Sequence, residues 1–265
     1  MTVRQFQLPA SFASGRPFTR LAWAPRFARD FALVVSVILF YFLLRGQAGW
    51  DTNLAVRVTG YLIDFEKAMR IFWEPQVQQV SIHFHLVQEV ANFVYAYAHF
   101  PVLIVVGAWL WFRGRHKFLF MRNVMFISMV IGLAFYFLLP AAPPRLMALN
   151  GYDLGFVDTV FGGNTAVSYA QPSIILNEYA AIPSFHFGWI AMASASIWVN
   201  TANRALRAIA VLMSLVMGWA IVASANHFFV DMALGVAVVA VSWVLAQRLE
   251  LRLARARRQL AGAVA

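Results

Sequence analysis

The side chains with the types and spacing to do chemistry fall in three short clusters. Pro140-Ala-Ala-Pro-Pro-Arg145 follows one apolar run, Ile182-Pro183-Ser184-Phe185-His186 opens another, and Ser224-Ala-Asn226-His227-Phe228-Phe229-Val230-Asp231 opens a third. In the last of these, His227 and Asp231 are four apart, so on a helix the carboxylate accepts from one imidazole nitrogen and leaves the other as an attacking lone pair. In the second, Pro183 suits a first helical position, which leaves unpaired N–H groups and the positive dipole end as an anion site. Ser184 adds a hydroxyl there, and His186, one turn in, is placed to give a proton to a departing oxygen. Arg145, held among prolines, offers a planar fork for a phosphate. Each cluster alone has a plainer reading: an interfacial arginine among lipid headgroups, a proline-started helix, a chance His-x-x-x-Asp spacing.

The elements that carry these clusters follow from composition. Of 265 residues, 62% are hydrophobic and 12% charged, far from soluble averages, and the net charge of +10 sits beside long apolar runs rather than on a polar domain. That pattern speaks for a membrane-embedded chain and against nucleic acid as a partner. With no cysteine, disulfides, thiolate metal sites and cysteine nucleophiles are excluded. Apolar runs near the length needed to cross a bilayer predict six spans, at about residues 30–45, 86–112, 120–139, 183–200, 205–225 and 227–247. The expected organisation is a basic segment 1–29, a six-span domain 30–247 and a basic tail 248–265. Pro9, Gly15, Pro17 and Pro25 argue against a continuous helix in the first segment, which also lacks the features of a cleaved signal peptide.

Lys and Arg number five before the first span, four after the second, two after the fourth and five in the tail. The opposite side holds Arg45, Arg57, Lys67 and Arg70, offset by Asp51, Asp64, Glu66 and Glu74, and then Arg145. The positive-inside rule therefore predicts cytoplasmic termini and places all three clusters outside. Leu54, Val58, Tyr61, Phe65, Met69 and Phe72 form a helical stripe, which predicts an amphipathic helix over about 52–74 on the outer interface, packing on the bundle or guiding lipid.

His85, Gln88, Asn92, Tyr95 and His99 share one face of the second span, as a pocket lining or as interhelical hydrogen bonding. His83 and His85 lack the companions of a metal centre, so no metal or other cofactor is expected. The connection 140–182 is long enough to be functional, and Asp153, Asp158, Asn164 and Glu178 are its candidates for selecting the acceptor.

Taken together, the motifs resemble those of the type-2 phosphatidic acid phosphatase superfamily, lipid phosphate phosphatases that share a helical core with vanadium haloperoxidases. Pro183, Ser184 and His186 match Pro-Ser-Gly-His with Phe185 in place of glycine, and His227 and Asp231 match His-x-x-x-Asp. The usual first-motif lysine would stand at Leu138 and the third-motif arginine at Ile221, so two phosphate-holding cations are missing. Pro-Pro-Arg145, Asn226-His227, Phe72-Trp-Glu-Pro75 and His99-Phe-Pro101 look more like the inositol phosphorylceramide synthase-like branch, over about residues 50 to 247. The resemblance implies that His227 attacks phosphorus to form a phosphohistidine, Asp231 orients it, His186 protonates the leaving oxygen, and Arg145 with the backbone near Ser184 holds phosphate oxygens.

The expectation is an all-α polytopic membrane protein of six transmembrane helices plus an outer interfacial helix, in the plasma membrane. Its function would be to move a phosphoryl group of a lipid phosphate or phospholipid to water or to an alcohol. Inositol is a candidate polyol acceptor, and Asn226, His99, Tyr95 and Asn92 are candidate pocket residues. An inositol-phosphate or headgroup transferase is the alternative within enzymes. A lipid-headgroup binding or transport protein is the alternative outside them.

Overall fold

A computed structural model describes residues 23–48, 51–162 and 172–264. Arg4, Arg16 and Arg20 of the basic N-terminal segment, Gly163 and Asn164 lie outside the described residues. The chain separates into two units, residues 1–36 and 37–265, and the site lies wholly in the second.

Among the described residues every regular element is helical, with one isolated bridge between Ala141 and Ala180. Helix α1 runs Ala24–Arg45, α2 Thr52–Ala68, α3 Glu74–His83, α4 His85–Phe93, α5 His99–Arg113 and α6 Arg115–Leu138. After them come the single-turn α7 Pro144–Met147, then α8 Phe185–Asn200, α9 Arg204–Ala223 and α10 Phe229–Val264. Five stretches are long and apolar enough to cross a membrane: Ala24–Arg45, His85–Arg113, Arg115–Leu138, Arg204–Ala223 and Phe229–Ala261. The expected fourth span forms α8, whose 16 residues extend about 24 Å, short of a bilayer core of about 30 Å.

Three boundaries differ from expectation. Pro25 opens α1 instead of preventing it, because a first-turn proline lacks only an N–H that has no intrahelical partner. The predicted helix over 52–74 is two helices: α2 stops at Ala68, Arg70 takes a left-handed φ of 58°, and Pro75 starts α3. The basic tail continues α10 as one helix of 36 residues.

The stripe of α2 and its continuation is divided: Val58 and Phe72 pack on the core, while other members face outward. Ala55, Thr59, Ile63 and Glu66 face inward, whereas Tyr61, Phe65 and Met69 are exposed.

Helix α8 is the centre of the bundle, packed on α9, α10, α5 and α6. Two glycines allow its approach to α10: a Cβ on Gly188 would collide with the Gly235 carbonyl, and one on Gly235 with the Ser184 carbonyl. Gly132 of α6 performs the same service for Phe185, whose ring occupies the space a Cβ at Gly132 would need. The glycine absent from the middle of Pro-Ser-Phe-His is thus matched by one on the facing helix. Between α4 and α5, residues Val94–Ala98 form a π-helical turn. Pro101 lies just beyond and cannot donate to the Tyr97 carbonyl, which accounts for the widened turn.

Candidate active site

His227 sits in the turn between α9 and α10, where the chain is held in an uncommon conformation. Ala225 has φ 52°, in the left-handed region, and the N–H groups of Asn226 and His227 both donate to the Ile221 carbonyl. The Nδ1 of His227 lies 3.3 Å from Oδ2 of Asp231, as the four-residue spacing predicts, and the same oxygen accepts from the Phe228 N–H at 2.9 Å. Both side chains are buried, Asp231 completely. That arrangement assigns the Nδ1 proton to the carboxylate side and leaves Nε2 as the free lone pair.

His186 approaches from α8, its ring centroid 5.9 Å from that of His227. Tyr95 and His99 flank it, with centroids at 4.7 and 4.9 Å. Two residues of the polar stripe therefore reach the site. Gln88 and Asn92 do not: they bind Thr159 of the long connection, Gln88 through Oγ1 at 2.9 Å and Asn92 through the carbonyl at 2.7 Å. His85 is exposed, beside Glu89.

Pro183 is not the first helical residue. Ser184 is the N-cap of α8, preceded by a cis Ile182–Pro183 bond, and its Oγ accepts from the Phe187 N–H at 3.4 Å. Its own N–H donates to the Asp231 carbonyl at 3.0 Å, which ties the start of α8 to the start of α10, beside His227. The N–H groups of Phe185 and His186 find no acceptor among the described residues.

Arg145 is buried, and three contacts fix it. Its Nε donates to Asn226 at 3.1 Å, Nη1 pairs with Asp158 at 3.2 Å, and its guanidinium lies 4.2 Å from the Phe161 ring centroid. Its backbone N–H donates to the Ala225 carbonyl, so the arginine is bonded to the turn that carries His227. Asp158, an expected acceptor-selecting residue, is thus the counter-ion of Arg145. The segment around it is held by Gln78, whose amide pairs with both backbone groups of Val157 at 2.7 and 3.0 Å. Asn177 and Arg45 bind the second half of the connection to the end of α1. Asp153 and Glu178 make no contact with the clustered site side chains among the described residues. Among the described residues no group of three or more His, Asp or Glu side chains is arranged to hold a metal ion.

A model of the PAP2 superfamily matches residues 60–245, which include every residue of this site. The chain belongs to the PAP2 superfamily. It is also similar to the phosphoinositol dihydroceramide synthase of Bacteroides thetaiotaomicron, 26% identical over 178 residues. The match covers 62% of this chain and 57% of the relative, so the chain spans little more than half of the curated relative's length. No solved structure matches.

Within this PAP2 chain the two positions lacking a cation are occupied by apolar groups in ordinary roles. Leu138 is exposed at the end of α6, and Ile221 is fully buried against Tyr95, Val160 and Met217. Two residues at the site were not anticipated at all. Glu66 of α2 and Glu74 of α3 are fully buried, and their Oε1 atoms accept from the N–H groups of Val230 and Phe229 at 2.7 and 2.8 Å. The signal available in the sequence was Glu66 on the non-apolar face of α2 and the unexplained glutamate of Phe72-Trp-Glu-Pro75.

Proposed function

We propose that this PAP2 protein is a membrane-embedded phosphoryl-transfer enzyme in which His227 forms a phosphohistidine from a lipid phosphate or phospholipid. The observation that supports this most is the pairing of a carboxylate-oriented histidine with a second imidazole 5.9 Å away on another helix. Nε2 of His227 attacks phosphorus, the bond to the leaving oxygen breaks, and His186 supplies its proton. In the second step His186 accepts a proton from water or an alcohol, whose oxygen attacks phosphorus as the P–N bond breaks. General acid–base catalysis of this kind contributes about 10² to 10⁴ in rate. Arg145 and the free N–H groups of Phe185 and His186 are proposed to meet the charge that develops on the phosphoryl oxygens, so the reaction is proposed to need no metal. Ser184 shapes that helix end, and Asn226, His99 and Tyr95 are proposed to border the headgroup. Asn92 acts one step removed, through Thr159.

In the proposed topology α8 completes six crossings, with its start recessed from the outer surface, both termini cytoplasmic and the site on the outer face of the plasma membrane. Helix α2 lies on the interface with Tyr61, Phe65 and Met69 in lipid. The name of the Bacteroides relative favours a second reading, in which an alcohol rather than water takes the group and inositol phosphate is the unit moved.

Purified protein incubated with phosphatidic acid or phosphatidylinositol, with and without a lipid alcohol, separates these outcomes. Free phosphate or headgroup phosphate indicates hydrolysis, and a new phospholipid indicates transfer. Turnover is expected to persist in EDTA and to pass through an acid-labile phosphoenzyme. Wild-type turnover by both His227→Ala and His186→Ala would overturn the mechanism.

A further inference from the structure

Around the start of α10, three successive N–H groups end on three carboxylates. Phe228 donates to Asp231 at 2.9 Å, Phe229 to Glu74 at 2.8 Å and Val230 to Glu66 at 2.7 Å. All three acids are fully buried and come from three different helices. The remaining oxygens, Oε2 of Glu66, Oε2 of Glu74 and Oδ1 of Asp231, are buried and meet no N–H or hydroxyl donor among the described residues. The N–H groups that hold the two glutamates belong to consecutive residues, which brings the two carboxyls side by side, and each acts on the other's proton.

A helix N-terminus carries roughly half a positive charge, too little to offset three fully buried anions. Two carboxylates in contact cannot both be ionised under these conditions, and a shared proton is the usual resolution.

We propose that Glu66 and Glu74 are positioning residues: they share one proton between their Oε2 atoms and, with their Oε1 atoms on Val230 and Phe229, hold the first turn of α10 so that Asp231 orients His227. The proposal rests on the phosphoryl-transfer reading of His227. Glu66 is the donor of the shared proton. Burial, reinforced by the hydrogen bond to Glu74 and by its charge, pushes Glu66 up to about 9. Burial raises Glu74 too, but there the bond to Glu66 works in the opposite direction, as befits the acceptor. The other charged group acting on both is Asp231, itself bonded to His227, while Lys67 on α2 is turned to the Phe72 ring at 5.3 Å.

The pair makes two pH-dependent signatures. Loss of the shared proton near pH 9 puts a second negative charge beside Asp231 and disturbs the helix start, so kcat falls as pH rises through that value. Stability follows a different window. A carboxyl protonated when folded but ionised when unfolded favours folding most below its ordinary value of 4.5, and that contribution declines as pH rises to about 9, then levels off.

Glu66→Gln keeps both contacts without an ionisable proton: the amide N–H replaces the acid O–H towards Glu74, and the amide oxygen still accepts from Val230. At pH 7 it should retain turnover of phosphatidic acid or phosphatidylinositol micelles to within about threefold, as an isosteric replacement does when hydrogen bonds are conserved. From pH 8 to 10 the parent kcat should drop about tenfold, as one unit beyond a controlling group requires, while that of Glu66→Gln changes less than about twofold. The double change Glu66→Gln with Glu74→Gln sets two amide N–H groups against each other and should lower kcat more than the single change, with KM little altered. Thermal unfolding in detergent gives a readout independent of turnover: Glu66→Gln should lose the parent's decline between pH 5 and 9. An unchanged alkaline limb and an unchanged unfolding slope in Glu66→Gln would overturn the shared proton. Wild-type turnover by His227→Ala would instead overturn the phosphoryl-transfer reading, and the unfolding comparison would still decide for or against the pair.

Discussion

The starts of α8 and α10 face each other across the site and are finished in opposite ways. At α8 the N-cap is a serine hydroxyl at 3.4 Å, and the N–H groups of Phe185 and His186 have no acceptor in the described protein. At α10 the corresponding N–H groups are all taken by carboxylates from α2, α3 and α10 itself. Both ends carry the same partial positive charge, so the difference lies in what satisfies it. An open end remains available to an anionic ligand, whereas a closed end cannot bind one but can hold a side chain rigidly. In the proposed reaction the phosphate therefore addresses α8, and the nucleophile is presented from α10.

The largest test of this division removes one imidazole from each side. His227→Ala should lower turnover by at least about 10⁴-fold and abolish the phosphoenzyme, since the nucleophile itself is gone. His186→Ala should cost about 10² to 10⁴. The sharper distinction lies in the leaving group: a 4-nitrophenyl phosphate ester needs little protonation, so His186→Ala should recover most of its first-step rate on it and His227→Ala none. Equal recovery, or none in either, would break the assignment of roles to the two helix starts.

A smaller effect is expected from moving the two starts apart. In Gly235→Ala the new methyl group meets the Ser184 carbonyl, which is backbone and cannot swing aside. Insertion into a tight contact of this kind costs about 1–3 kcal/mol. The Ser184 N–H to Asp231 carbonyl bond should lengthen, and His186 should withdraw from His227. A lower unfolding temperature with a disproportionate loss of kcat would support the crossing as the device that sets the 5.9 Å separation of the imidazoles. A destabilised protein with undiminished kcat would show that the separation is set elsewhere.

The parts of this arrangement that could be read from sequence were those whose geometry is local. His227 and Asp231 lie four residues apart, just before and within the first turn of α10, and Ser184 precedes an apolar run, so spacing alone constrained them. Arg145 could be assigned to the same region by topology, but its hold on Asn226 and its pairing with Asp158 depend on how a long connection folds back. The glutamates were illegible for a different reason. Beside Arg45, Arg57, Lys67 and Arg70 they read as offsetting charge, and the apolar stripe of α2 gives no sign that Glu66 turns inward beside Ile63. The span predicted over 86–112 was found as one run, but its π turn depends on a single missing N–H at Pro101, which hydropathy does not register.

The smallest predicted effect concerns the cap that leaves α8 open. Ser184 is fully buried, and its hydroxyl accepts from Phe187 at the long end of hydrogen-bonding distance. Removing an N-cap hydroxyl ordinarily costs about 0.5–2 kcal/mol, and this geometry points to the lower part of that range. Ser184→Ala should therefore lower the unfolding temperature slightly and leave kcat within a few fold, because the Ser184 N–H still donates to the Asp231 carbonyl. Where the hydroxyl also reaches the bound phosphate, KM should rise in addition, by the loss of one hydrogen bond to a charged group, worth about 1.5–3 kcal/mol. The two outcomes separate cleanly in the ratio of KM to kcat. A change in KM alone would extend the open end of α8 from two N–H groups to a site of three donors, and a change in neither would leave phosphate recognition to the backbone and Arg145.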